Sequence, residues 1–133
     1  MATEPIRYIS FVEAVVEHIE LMLGLGEVRF GVFDRALLQS SLARPQQAAA
    51  YENADLPSQA ATLCFGLIKN HPFVGGNKRT ATHLTDRFLK LNGFEIAATI
   101  SELVEVVLEI ESGRQTVEDL TRWMREHTQR LTA

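Results

Sequence analysis

An all-α fold is the expectation for this chain, and three features of the sequence carry it. Apolar residues recur three and four apart along most of its length. Ser, Thr or Asp stands at the head of several of these runs, and Gly or Pro closes others. Its 133 residues suit a single compact helical domain spanning 1–133, able to bury a core without disulfides or a structural metal.

The elements follow in order. Ser10 and Glu13 fit a capping box, in which each side chain satisfies a backbone N–H of the other end of the turn. Val12, Val15, Val16, Ile19, Met22 and Leu23 then keep helical spacing until Gly24 and Gly26. Asp34 heads a short helix carrying Leu37, Leu38 and Leu42, which Pro45 is expected to stop. Arg44 to Pro57 is polar and weakly periodic, and reads as a surface loop. A central helix, apolar on most sides, runs from Ser58 to about Lys69 and breaks at His71-Pro72. Another opens near Lys78, with Ala81, Leu84, Phe88 and Leu91 on one face, and stops at Asn92-Gly93. The Val-rich stretch Ser101–Glu111 suits helix or strand. The spacing of Glu102, Glu105 and Glu109 favours a helix with a solvated acidic stripe. Thr116 and Asp119 cap a last helix, expected to reach Arg130, in which Trp123 and Met124 pack inward.

Composition excludes several function classes. The single cysteine, Cys64, rules out an internal disulfide framework or a multi-cysteine metal site, and its apolar neighbours make it a buried, inert thiol. His18, His83 and His127 lack metal-ligand spacing. A net charge of −4 argues against direct nucleic-acid binding. No apolar run is long enough to span a membrane and no signal-peptide pattern opens the chain, so a cytoplasmic location is expected.

The charge is unevenly placed. Leu56 to Thr85 contains no Asp or Glu, yet holds Lys69, Lys78 and Arg79. Such a segment is either a solvated basic surface or a place for an anionic ligand. Within it lies His71-Pro-Phe-Val-Gly-Gly-Asn-Lys-Arg-Thr-Ala81. Gly75 and Gly76 allow backbone N–H groups to turn inward as an anion nest at the start of a helix. Lys78 and Arg79 add full charges, and Arg79 a fork that matches phosphate oxygens. The spacing is not that of a Walker A loop. An imidazole is a suitable general base near neutral pH, so His71 could take a proton from a hydroxyl beside a bound phosphate; a His before Pro also suits a plain capping role. Phe73 reads as the core anchor of the loop.

His71-Pro72-Phe73 followed by Gly76-Asn77-Lys78-Arg79-Thr80-Ala81 resembles the signature of the Fic superfamily, and more narrowly its Doc (death-on-curing) toxin branch, which has Lys where other Fic proteins have Gly. Gly31-Val-Phe-Asp34, Leu42-Ala-Arg-Pro45, Tyr51-Glu52 and Asn92-Gly-Phe94 extend the resemblance over most of the chain. It implies a toxin of a toxin–antitoxin system that transfers phosphate from ATP to a protein hydroxyl, a threonine of elongation factor Tu, and so blocks translation. His71 would be the general base. Gly76, Asn77, Lys78 and Arg79 would bind the ATP phosphates, and the segment from Arg44 to Pro57 would help dock the target. The resemblance also implies a Phd-like antitoxin as partner. The internal inhibitory pattern of some Fic proteins fails here, because Val106 follows Ser101-Glu-Leu-Val-Glu105.

One position departs from the family. Gly75 stands where the family carries the Asp or Glu that serves magnesium. No acid in the surrounding segment replaces it, and Asp86 lies roughly 12 Å along the helix from Lys78. The sequence therefore leaves three activities open: an attenuated phosphotransferase, a non-catalytic antitoxin-binding or regulatory protein, and an AMP transferase, which Lys78 disfavours.

Overall fold

A computed structural model describes residues 5–132. Six helices and one two-stranded sheet make up its regular structure. Helix α1 is Phe11–Gly24, α2 Arg35–Glu52, α3 Leu56–Asn70 and α4 Asn77–Leu91. Strand β1 is Phe94–Ile96, followed by α5 Ile100–Glu111, α6 Val117–His127 and β2 Thr128–Arg130. Among the described residues no helix is long and apolar enough to cross a membrane.

The caps predicted at Ser10, Asp34 and Thr116 are present, and the structure adds two more at Asp55 and Thr99. Ser10 and Glu13 close a reciprocal box on α1, as do Thr99 with Glu102 on α5 and Thr116 with Asp119 on α6. The Val-rich stretch is thus helical, its first turn held by the Thr99 hydroxyl. Asp34 caps α2 through the Leu37 N–H, and Asp55 caps α3 through that of Ser58.

Two expectations are corrected. Pro45 does not stop α2. The helix continues to Glu52 and absorbs most of the predicted loop between Arg44 and Pro57. Leu38, Ser41, Pro45 and Ala48 form a buried stripe against α3, while Gln46 and Gln47 face water. Burial of the proline ring and packing on α3 offset the lost N–H and the ring clash. The contact is close: a Cβ on Gly66 of α3 would come within 2.8 Å of the Arg44 side chain. Asn53, left-handed at φ 53°, ends the helix. The second correction concerns the last helix, which ends at His127 rather than Arg130. Thr128–Arg130 instead pairs antiparallel with Phe94–Ile96, Phe94 opposite Arg130. Three-residue strands are too short to show alternation, so periodicity could not reveal them.

The core is centred on α3, which buries Leu63, Cys64, Leu67 and Ile68 and packs against α2, α4, α5 and α6. Burial pushes the Cys64 thiol up to about 11, which leaves it an inert core residue. Trp123 is partly buried and Met124 fully, as packing residues. α3 and α4 then deliver the loop between them, residues 71–76, to one face of the molecule.

Candidate active site

The loop begins where α3 ends. His71 takes the left-handed conformation, φ 47°, as the C-cap, and its side chain is exposed. Pro72 and Phe73 turn inward, and Phe73 is 3% exposed, the anchor the sequence predicts. Its ring stacks on the buried imidazole of His18 in α1, with centroids 3.9 Å apart. The Asn77 amide closes the turn from the other side. It accepts from the Phe73 N–H and donates to the Phe73 carbonyl, both at 2.9 Å.

Asn77 thus spends its side chain on the loop. Gly76 heads α4 at φ 68° and supplies no capping side chain. A Cβ there would run into the Met22 thioether. The first helical bond of α4 is from the Thr80 N–H to the Gly76 carbonyl, at 2.9 Å. The N–H groups of Asn77, Lys78 and Arg79 therefore precede the helical ladder and point out of its positive end.

Asn77, Lys78 and Arg79 line one cavity of about 370 Å³, together with His71 and Gly76. Its opposite wall comes from remote parts of the chain: Met22 of α1, Glu27 just beyond it, and Glu111 at the end of α5. The carboxylates meet the cations. Lys78 Nζ lies 3.2 Å from Glu111, and Arg79 lies 3.9 Å from Glu27. All four side chains are substantially solvated, so these pairs are weak and an incoming anion can displace them. Beside this cavity an apolar groove of about 380 Å³ shares Lys78 and Arg79 and is walled by Ile100, Leu103, Val104 and Val107 of α5.

The segment from Gly26 to Asp34 is fastened across the loop. Val32 and Phe73 form an isolated antiparallel bridge, and Val74 donates to the Gly31 carbonyl at 2.9 Å. Phe33 donates to the Pro72 carbonyl at 2.8 Å. This places the Arg29 carbonyl directly over Gly75, where an added Cβ would come within 2.7 Å of that oxygen. Position 75 is therefore filled by backbone from the other wall.

Magnesium fits this set of residues poorly. Gly75 offers no carboxylate, a side chain there must first move Arg29, and Glu27 and Glu111 each face a cation. Asp86 is engaged elsewhere, with Lys90 and the Ile96 N–H. Among the described residues no group of three or more His, Cys, Asp or Glu could hold a metal ion.

Sequence reasoning identifies the near wall and misses the far one. Glu27 and Glu111 carry no local signal, since only the fold brings them to the cavity. His18 has a faint signal, a polar ring on the stripe of Ala14 and Met22. His83 stays outside the cavity, 2.8 Å from Glu17.

Comparison with known proteins fits this geometry. The profile of the Fic/DOC family matches residues 8–89. Toxin Doc of Mycolicibacterium smegmatis is 41% identical over 86 residues, which are 59% of this chain and 65% of that protein. The chain thus matches just under two thirds of that relative's length. Two solved structures share the fold at a TM-score of 0.50. One is the BepC protein, a VirB-translocated effector of Bartonella tribocorum, solved with bound AMPPNP, at 15% identity over 71% of this chain. The other is the N-terminal Fic domain of a putative cell filamentation protein of Bartonella quintana, at 20% identity over 78% of this chain. In both cases the match spans half of the other chain. With the family profile covering more than half of its length, and the motif loop inside that match, the chain belongs to the Fic/DOC family.

Proposed function

We propose that this protein is a Doc-type toxin whose cavity binds the phosphates of ATP and passes one phosphate to a protein hydroxyl. The observation that carries the reading is the convergence of an uncapped helix N-terminus, two cations and an exposed imidazole on one cavity. The similarity to toxin Doc supports the same class of activity. Nucleotide binding is also in keeping with the AMPPNP held by the BepC relative.

In this mechanism the N–H groups of residues 77–79, with Lys78 and Arg79, neutralise the phosphate oxygens. The side chain of Asn77 holds the loop in shape. His71 takes the proton of the acceptor hydroxyl as its oxygen attacks the terminal phosphorus, and ADP leaves with the electrons of the broken P–O bond. The apolar groove beside Lys78 offers room for the nucleoside. No step is assigned to magnesium, and the missing carboxylate at position 75 makes this an attenuated enzyme. Elongation factor Tu, through a threonine, is the substrate proposed from the family resemblance, and a Phd-like antitoxin the partner. The chain then works in the cytoplasm as one domain, residues 1–133.

A second reading is favoured by Gly75 and by the carboxylates paired to both cations: a non-catalytic Fic fold that engages the antitoxin. Mass spectrometry of elongation factor Tu incubated with ATP and the protein separates the readings. A gain of one phosphate supports the toxin kinase, a gain of AMP an AMP transferase, and no change the binding protein. The Gly75→Asp variant belongs in the same experiment. If it restores transfer, Arg29 has yielded and the fold was only disabled.

A further inference from the structure

Of the polar side chains in the core, His18 stands out because its contacts lead to the motif loop, to the first turn of α4 and to the Gly31 segment, while the ring itself stays out of the cavity. It is fully buried, on the α1 stripe that also carries Ala14 and Met22. An apolar residue would fill that space with no desolvation cost, so a ring here must be held by its hydrogen bonds. It has two, and they fix its tautomer. The Gly31 N–H donates to Nε2 at 3.0 Å, so Nε2 carries no proton. Nδ1 then bears the hydrogen and donates it to the Thr80 hydroxyl at 2.8 Å. Desolvation lowers its pKa to about 4, which keeps the ring neutral as this pattern requires.

Each contact leads to part of the cavity. Thr80 stands in the first turn of α4, directly after the N–H groups of residues 77–79. The ring face rests on Phe73, whose backbone Asn77 holds. Gly31 is gripped twice, its N–H by His18 and its carbonyl by Val74. Two residues before Gly31 is Arg29, whose carbonyl covers Gly75. Glu27, which faces Arg79, precedes Arg29.

We propose that His18 is the positioning residue of the cavity, a neutral Nδ1–H imidazole that ties the Gly31 segment, the Phe73 loop and the first turn of α4 into one rigid anion-binding frame. Its consequence for ligand affinity rests on the nucleotide reading above. Its structural content does not.

The two hydrogen bonds can be separated by substitution, because an Asn amide lies near the place of Nδ1 and a Gln amide near that of Nε2. His18→Asn keeps a donor for Thr80, His18→Gln keeps an acceptor for Gly31, and His18→Ala keeps neither. The test has three measurements. Nitrogen NMR of the imidazole in the unmodified protein at pH 7 should show the Nδ1–H tautomer; the Nε2–H form would overturn the proposal without any variant. Amide hydrogen exchange without nucleotide should quicken about tenfold or more at Gly31 and Val74 in His18→Ala and His18→Asn, but stay within about threefold in His18→Gln. Equal acceleration of these amides and of Leu67 in the α3 core, or failure of Gln to rescue, would reduce His18 to a stability residue and sink the idea. Calorimetry with AMPPNP should show about tenfold weaker binding for His18→Ala and about threefold for His18→Gln. If the unmodified protein binds no AMPPNP, the nucleotide reading fails while NMR and exchange still decide the role of His18.

Discussion

The two walls of the cavity are built on opposite principles. The near wall, from His71 to Arg79, is contiguous in sequence, cationic and shaped by its own short-range bonds: Asn77 to Phe73, and Gly76 at the head of α4. The far wall is assembled from Met22, Glu27 and Glu111 and brings carboxylates, and the Arg29 carbonyl beside it covers Gly75. One wall attracts an anion, and the other occupies or neutralises the groups that would receive it. The proposed capacity to bind phosphate is therefore written locally in this chain, whereas restraint on that capacity is a property of its fold.

Removing the joint between the walls gives the largest expected effect. Phe73→Ala deletes a buried aromatic ring that stacks on His18, and should cost about 3–5 kcal/mol of stability, read as a drop in the urea midpoint. A loss below about 1 kcal/mol would mean the walls are held mainly elsewhere.

Acid should loosen the same joint by a somewhat smaller amount. The His18 pKa is about 4 when folded against an ordinary 6.5, so between these values the unfolded chain binds the extra proton. Stability is fully present above about pH 6.5 and falls as pH drops through 4, by on the order of 3 kcal/mol. Depressed carboxyls such as that of Asp55, held down by Arg125 and the Ser58 N–H against the opposing effect of burial, add to the decline at the acid end. Urea titrations of the unmodified protein and His18→Gln across this range isolate the histidine: the difference between them should change with pH from 6.5 to 4. A constant difference would break the assignment.

The smallest effect sharpens the contrast between the walls. Glu111→Gln removes the carboxylate that faces Lys78 and should tighten AMPPNP binding about two- to fivefold, the scale of a solvated ion pair. The same substitution should barely alter the urea midpoint. Weaker binding would instead make Glu111 part of the nucleotide site.

The division between local and remote structure also explains what could be read from the sequence. Capping residues such as Ser10, Asp34 and Thr116 act within one turn, so these helix starts are legible. The motif loop is legible for the same reason. Pro45 misleads because its local preference is overruled by the packing of α2 on α3, a contact made possible by Gly66. The β1–β2 pair joins segments more than thirty residues apart, and each strand is too short to announce itself. Gly75 reads in sequence as a missing carboxylate. In the fold it is also the one residue small enough to sit beneath the Arg29 carbonyl.

The continuous α2 has a consequence for any partner that approaches it. Read as a loop, Arg44 to Pro57 would have to be ordered at the moment of contact. Instead, residues 44–52 stand on a helix of 18 residues, backed by α3, with Tyr51 at its outer end 87% exposed. A macromolecule docking there meets a surface whose backbone entropy was already lost on folding. Its affinity then depends on fit to a fixed shape, and a mismatched partner gains nothing from induced adjustment.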